Sequence, residues 1–261
     1  MTDVLQNIRS RRELDSIRTW FQSELGVQVL QTQTAILEQL LGGFFGYHLL
    51  QVSVQQQSLF DASPINHKIT LGLTDVDASP LIAKPTALPF ESDCIDVALL
   101  HHMLDYVDSP QDVLREISRV VLPMGHVVIV GFNPISLWGL WKPFASFRGN
   151  PPWNGQFIRP DRLMDWLNLL NFRIDRATYC QYRLPIAEKD WVKPDYSKGL
   201  SRRANWPVGG VYVIVARKHV GTMTPLRPIW TSRKAFGRLS AVQPASRDVL
   251  SRNDVDSPSS E

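Results

Sequence analysis

Cysteine is nearly absent. The chain has two in 261 residues, Cys94 and Cys180, both inside apolar surroundings. Neither has a second cysteine or a histidine at ligand spacing, so a disulfide framework and a zinc site are both excluded, and two free core thiols are predicted. No apolar run approaches the ~18 residues of a membrane-spanning helix. The first segment, MTDVLQNIRSRRELDSIRTW, lacks the apolar centre of a signal peptide. These features predict a soluble, cytoplasmic protein without membrane insertion. A strong charge bias is missing as well. A formal net charge of +3 does not argue for nucleic acid, and no basic run is long enough to act as a binding arm. A composition of 44% apolar and 20% charged residues is enough for one substantial core.

The clearest pattern runs from Leu88 to Phe132, LPFESDCIDVALLHHMLDYVDSPQDVLREISRVVLPMGHVVIVGF. Cys94–Leu100 is a short apolar run suited to a strand covered on both faces. Ser109-Pro110 offers an N-cap and a first-turn proline. Val113, Leu114, Ile117, Val120 and Val121 then recur at helical spacing. Pro123-Met124-Gly125 is expected to break that helix, with a second buried strand over His126–Val130. Two buried strands joined by a helix form a right-handed crossover unit, which predicts a parallel sheet covered by helices.

This stretch resembles the second half of a class-I S-adenosylmethionine-dependent methyltransferase domain. The resemblance rests on LPF, an acidic loop, an apolar strand, H-x-L-x-x-V-x-D-P, L-x-E-x-x-R-V-L-x-P-G-G and a final apolar strand. This chain has Met124-Gly125 where the family prefers Gly-Gly. The match spans roughly residues 49–218 and is best over 87–134. The segment GFNPISLWGLWKPF further resembles a small bacterial subgroup of such proteins. The implied fold is α/β, a Rossmann-like seven-stranded, mostly parallel sheet with helices on both faces and a C-terminal antiparallel hairpin. The expected domains are N-terminal helices over 1–46, the methyltransferase-like domain over 47–219, and a basic, largely disordered tail over 220–261.

Taken in order, Asp3–Leu25 predicts a helix stopping at Gly26, and a second helix runs through QTQTAILEQLLGG to Gly42-Gly43. In the family such helices help to cover the cofactor cleft, and plain packing on the sheet is the preferred reading of them. The first strand is placed at Tyr47–Val54. The family follows it with G-x-G-x-G, whose glycines let the backbone approach the cofactor without a Cβ in the way. Here those positions fall on Ser53, Gln55 and Gln57, so all three glycines are missing. Each side chain that needs φ > 0 costs on the order of 1 kcal/mol, so three imply a differently shaped loop. Gly42, Gly43 and Gly46 precede the strand and suit the turn into it.

The second strand is placed at His67–Thr74, with Asp75 (or Asp77) at the position the family uses for the ribose hydroxyls. A shortened or absent helix leads to a third strand, LIAKP. Where many relatives place Asp-Ala against adenine, this chain has Lys84-Pro85, and a lysine cannot accept from the adenine amino group. The resemblance assigns cofactor contacts to Gln51, Ser53, Gln55, Asp75, Pro85, Thr86, Ala87, Leu88 and Leu100. It assigns the cleft wall beyond the fourth strand to His101 and His102. A histidine there could take a proton from the accepting oxygen or nitrogen, although a packed core histidine fits equally. In an extended segment only one of the pair faces the cleft, with His101 toward the cofactor. Asn133, Ser136 and Trp138, with Trp141, Phe144 and Phe147, line the rim where substrates approach, or pack down a helix over Ser136–Phe147. A helix from Asp161, a sixth strand over Phe172–Tyr179, a basic loop and a last strand over Val208–Lys218 complete the domain.

The resemblance implies S-adenosylmethionine as cofactor, no metal, and a small-molecule methyl acceptor. The missing glycines leave open a catalytically inactive binding or regulatory protein on the same fold. RNA methylation rests only on the modestly basic C-terminal third, with Arg227, Arg233, Lys234 and Arg238.

Overall fold

A computed structural model describes residues 11–74, 81–146, 151–182 and 206–219. The chain divides into two units, Met1–Gly221 and Thr222–Glu261, and every described residue belongs to the first. The predicted tail, the basic loop, Asp75 and Asp77 lie outside the described residues, as do the side chains of Phe144 and Phe147.

Two helices come first, α1 (Arg11–Phe21) and α2 (Glu24–Leu41). The strands are β1 (His48–Ser53), β2 (His67–Gly72), β3 (Leu81–Ile82), β4 (Ile95–His101), β5 (Val121–Phe132), β6 (Phe172–Cys180) and β7 (Val211–Lys218). Helix α3 (Pro110–Val120) joins β4 to β5, and α4 (Leu137–Ser146) and α5 (Pro160–Leu169) lie between β5 and β6. All seven strands form one sheet in the order β3-β2-β1-β4-β5-β7-β6. β1 to β5 run parallel, and β7 inserts antiparallel between β5 and β6. This is the Rossmann-like sheet with its antiparallel end. The central strands β1, β4 and β5 are buried along most of their length because both faces are covered.

Three expectations are corrected. Gly26 does not stop a helix. The break falls at Gln22-Ser23, where Ser23 caps α2 by accepting from the Gly26 N–H, and α2 runs on through Gly26. A Cβ at Gly26 would sit 2.1 Å from the Trp20 carbonyl, so the glycine lets α1 and α2 close on each other. Ser109 makes no side-chain cap bond to α3, which starts on Pro110 alone. Finally, the Pro123–Gly125 segment does not separate helix from strand. α3 ends at Val120 and β5 begins at once at Val121, absorbing the irregular segment as a register shift between Ile95 and Val97.

Glu116 and Arg119 of α3 secure the loop before β4. Glu116 accepts from the Leu88 N–H at 2.7 Å. Arg119 donates to the Leu88 and Phe90 carbonyls and to both Glu116 oxygens. The Arg119 guanidinium and the Leu88 N–H hold the Glu116 carboxyl below its usual range, although burial opposes them. Thus the glutamate and arginine of the L-x-E-x-x-R pattern hold LPF in place.

Candidate functional site

Open parallel sheets bind ligands at the carboxyl ends of their strands, where neighbouring connections diverge. In this chain that position is the end of β1 beside the end of β4, with Ser53 paired in register with His101. Both residues are buried, as is His102. The polar groups there are joined in one chain of hydrogen bonds. The Gln55 N–H donates to Ser53 Oγ at 3.0 Å, and Ser53 Oγ lies 3.1 Å from His101 Nδ1. His101 Nε2 lies 2.8 Å from Gln33 Oε1, and Gln33 Nε2 lies 2.9 Å from His102 Nε2. His102 Nδ1 reaches Asp105 Oδ2 at 2.9 Å, and that oxygen also accepts from the Phe132 N–H at 3.2 Å.

The chain fixes the tautomers. Gln33 Oε1 can only accept, so His101 carries its proton on Nε2, and Nδ1 accepts from the Ser53 hydroxyl. The Gln33 amide donates to His102, so His102 carries its proton on Nδ1 and donates it to Asp105. Both rings are therefore neutral, and the His102–Asp105 contact is a hydrogen bond rather than an ion pair. Burial agrees. It lowers the His102 pKa to about 3 and, helped by neighbouring His102, lowers that of His101 well below its usual value. Burial also pushes Asp105 well above the carboxylate range, against the Phe132 N–H and Lys142. Asp105 Oδ1 and the Tyr212 hydroxyl are buried without a hydrogen-bond partner among the described residues, and Asp105 helps to push the Tyr212 phenol up, after burial.

The expectation that only one histidine faces inward is corrected. His102 leaves the extended conformation with φ 52°, which swings its ring round to the same Gln33 amide that His101 meets. Phe21 of α1 covers both rings at 5.8 and 5.6 Å. Gln33 was not singled out from the sequence, yet it had a signal. It is a polar residue on the buried stripe Val29, Thr32, Gln33, Ile36 and Leu37 of α2. Asp105 had no comparable signal.

The other sequence candidates scatter. Gln51 is buried, and its amide donates to the Gln57 carbonyl and accepts from the Leu59 N–H, which ties down the loop after β1. Arg18 of α1 adds a bond from its Nε to the Val54 carbonyl. Leu100 is core. Pro85 and Leu88 are buried, Thr86 is half-buried and Ala87 is exposed, around the Lys84–Ala87 bridge. Asn133 staples β5 to the turn before β7, donating to the Pro207 and Gly209 carbonyls at 2.9 Å each. Ser136 caps α4 by accepting from the Gly139 N–H. Trp138 is fully buried, between Phe132, Trp20 and Trp153.

A methyltransferase-domain sequence profile matches residues 46–129. The uncharacterized protein YafS of Escherichia coli K12 is 34% identical over 191 residues, covering 72% of this chain and 75% of that one. The chain belongs to the class-I S-adenosylmethionine-dependent methyltransferase family. A further member, a ubiquinone biosynthesis O-methyltransferase of Proteus mirabilis, is 28% identical over 106 residues, 38% of this chain and 43% of that enzyme. Among solved structures, a methyltransferase of Thermotoga maritima described as a possible histamine N-methyltransferase superposes with a TM-score of 0.61 at 17% identity. It covers 84% of this chain and all of its own, and at that identity the likeness is one of fold.

The described residues do not fit the family's cofactor in this arrangement. Gln33 bonds His101 and His102 at the end of β4, Gln51 ties down the loop after β1, and Phe21 covers the histidines. Ser53, Gln55 and Gln57, where the resemblance expects glycines, all carry side chains. No helix of the described residues is long and apolar enough to cross a membrane.

Proposed function

We propose that this member of the family acts as a binding or regulatory protein and does not transfer methyl groups. The observation that carries this reading is the Gln33 amide, which bonds both His101 and His102 and takes the space at the end of β4. A histidine so held is neutral, buried and fully engaged, and it has no free nitrogen with which to take a proton from an acceptor. The missing glycines and the lysine at position 84 point the same way.

A second reading, methyl transfer to a small-molecule acceptor, is favoured by one observation. A cavity of about 520 Å³ lies against the loop after β1, lined by Phe21, Leu30, Gln31, Thr34, Gln55 and Gln57. Phe21 also covers His101 and His102, so movement of α1 and α2 would join that cavity to the strand ends. In this reading His101 or His102 would serve as proton acceptor once released from Gln33. RNA methylation has no support among the described residues.

Isothermal calorimetry and thermal shift with S-adenosylmethionine and S-adenosylhomocysteine test the choice. The wild-type protein is expected to show neither heat nor stabilisation at millimolar ligand. Saturable binding to the wild type overturns the non-catalytic reading. Binding that appears only in Gln33→Ala, with the wild type silent, supports it and assigns the exclusion to this side chain.

A further inference from the structure

A second cavity, of about 640 Å³, lies apart from the strand ends and is lined by the outer face of α1, the start of α2, α4 and the segment 151–153. Three tryptophans reach it. Trp153 is almost wholly buried, Trp20 is half-buried, and Trp141 is 43% exposed. Trp138 backs the wall, with its ring 6.3 Å from Trp20 and 5.7 Å from Trp153, so the aromatic surface is held by packing. Among the described lining residues the single charged one is Asp15, whose side chain is exposed and has no partner among the described residues. The nearest candidate cation on α4, Lys142, turns away to the Gly155 carbonyl at 2.6 Å and the Phe157 ring at 4.3 Å.

Each ligand class makes a different demand on such a lining. Among the described lining residues an anion would meet a carboxylate and no cation. A sugar needs a ring of free hydrogen-bonding groups, and most of the polar groups here are already engaged. Thr19 donates to the Asp15 carbonyl, while Ser23 donates to the Trp20 carbonyl and accepts from the Gly26 N–H. An organic ammonium needs what the described lining holds: several aromatic side chains, one carboxylate and no cation. We propose that this tryptophan-lined cavity between α1 and α4 binds a small organic cation, an alkylated ammonium group on a short apolar frame. Trp20, Trp141 and Trp153 would form its walls, and Asp15 would supply the counter-charge. The site does not depend on the ends of β1 and β4, so it holds whether or not the chain transfers methyl groups.

The test follows tryptophan fluorescence during titration with choline and benzyltrimethylammonium, beside 3,3-dimethylbutan-1-ol, the uncharged isostere of choline, and cellobiose. The ammonium probes are expected to give saturable quenching, with the isostere at least about tenfold weaker. Trp141→Ala, a partly exposed helix position checked for folding by circular dichroism, should weaken ammonium binding by about tenfold. Trp141→Phe should recover part of the loss, Asp15→Asn should weaken binding several-fold, and Gln33→Ala should leave it unchanged. Equal binding of the isostere overturns the proposal. So does quenching by cellobiose alone, or no saturable quenching by either ammonium up to about 50 mM, a level at which even a very weak site would show.

Discussion

The two halves of the sheet are built by different rules. From β4 to β7 each strand is followed or flanked by an element of regular structure. Helix α3 bridges β4 and β5, and β6 and β7 pair over eight registered positions. From β1 to β3 the connections over residues 54–66 and 83–94 contain neither helix nor named strand. The end of β4 is instead covered by Phe21 of α1 and Gln33 of α2. The sheet keeps its topology through β4 and β5, while the ends of β1 and β4 are covered by a local loop and a distant helix. Fold and chemistry are separable, because they rest on different halves.

The largest test of that contrast is the strength of the two cores. Leu99 lies in the middle of β4, buried and flanked in register by Gln51 of β1 and Val128 of β5. Leu71 in β2 is buried too, but next to a strand of two residues. Removing a buried leucine costs most where the surroundings cannot collapse. Leu99→Ala is expected to lose about 4–5 kcal/mol and Leu71→Ala about 2–3 kcal/mol in denaturant unfolding, the two ends of the usual range. Equal losses would mean that the first half is as rigidly packed as the second, and the contrast between them would fail.

What was legible in the sequence divides along the same line. Val113, Leu114, Ile117 and Val120 of α3 repeat at helical spacing, and all four are buried. The run before His101 is a buried strand, and the terminal hairpin pairs as expected. Those signals are local, since each is a periodicity within a dozen residues. The candidate site depended on contacts that are not local. Gln33 meets His101 and His102 from 68 and 69 positions away, and nothing near either histidine specifies it. Residues 53, 55 and 57 could be seen to lack glycine, but not that Gln51 would tie the loop down. Gly26 looked like a helix stop because its reason, the close approach of Trp20, lies in tertiary packing.

A pH series examines the rebuilt site directly. The folded pKa of His102, about 3, lies below its unfolded value of 6.5. The unfolded chain therefore takes up the proton first, and the stability due to the neutral ring is full above pH 6.5 and lost as pH falls toward 3. Between pH 6.5 and 5 the loss from this group is roughly 2 kcal/mol, at about 1.4 kcal/mol per pH unit. His101 adds a loss of the same sign. Asp105, raised in the folded state, acts in the opposite sense, since its contribution is full below about 3.8 and declines as pH rises through the folded value. Melting temperatures should therefore fall with acidification. His102→Asn, an amide that tolerates the left-handed backbone at this position, should flatten the fall, and Asp105→Asn should steepen it. An acid limb unchanged by His102→Asn would mean that the ring is already hydrated, and the closure by Gln33 would be lost as an explanation.

The smallest expected effect sits in the framework half, at a departure from the family pattern. Met124 stands where the resemblance expects glycine, and its φ of 68° lies in the left-handed region. Its side chain is half exposed, so it contributes little packing in return. A non-glycine residue in that conformation carries about 1–2 kcal/mol of strain, and glycine gives back about 0.5–1 kcal/mol of that in chain entropy. Met124→Gly should therefore stabilise the protein by about 0.5–1 kcal/mol in urea unfolding, with unchanged slope. The same substitution at Gln55 should bring no such gain, because no positive φ is found there. A gain at Gln55 equal to that at Met124 would show that the loop after β1 is still strained toward the family's glycine turn, and so less fully rebuilt than its hydrogen bonds to Gln51 indicate.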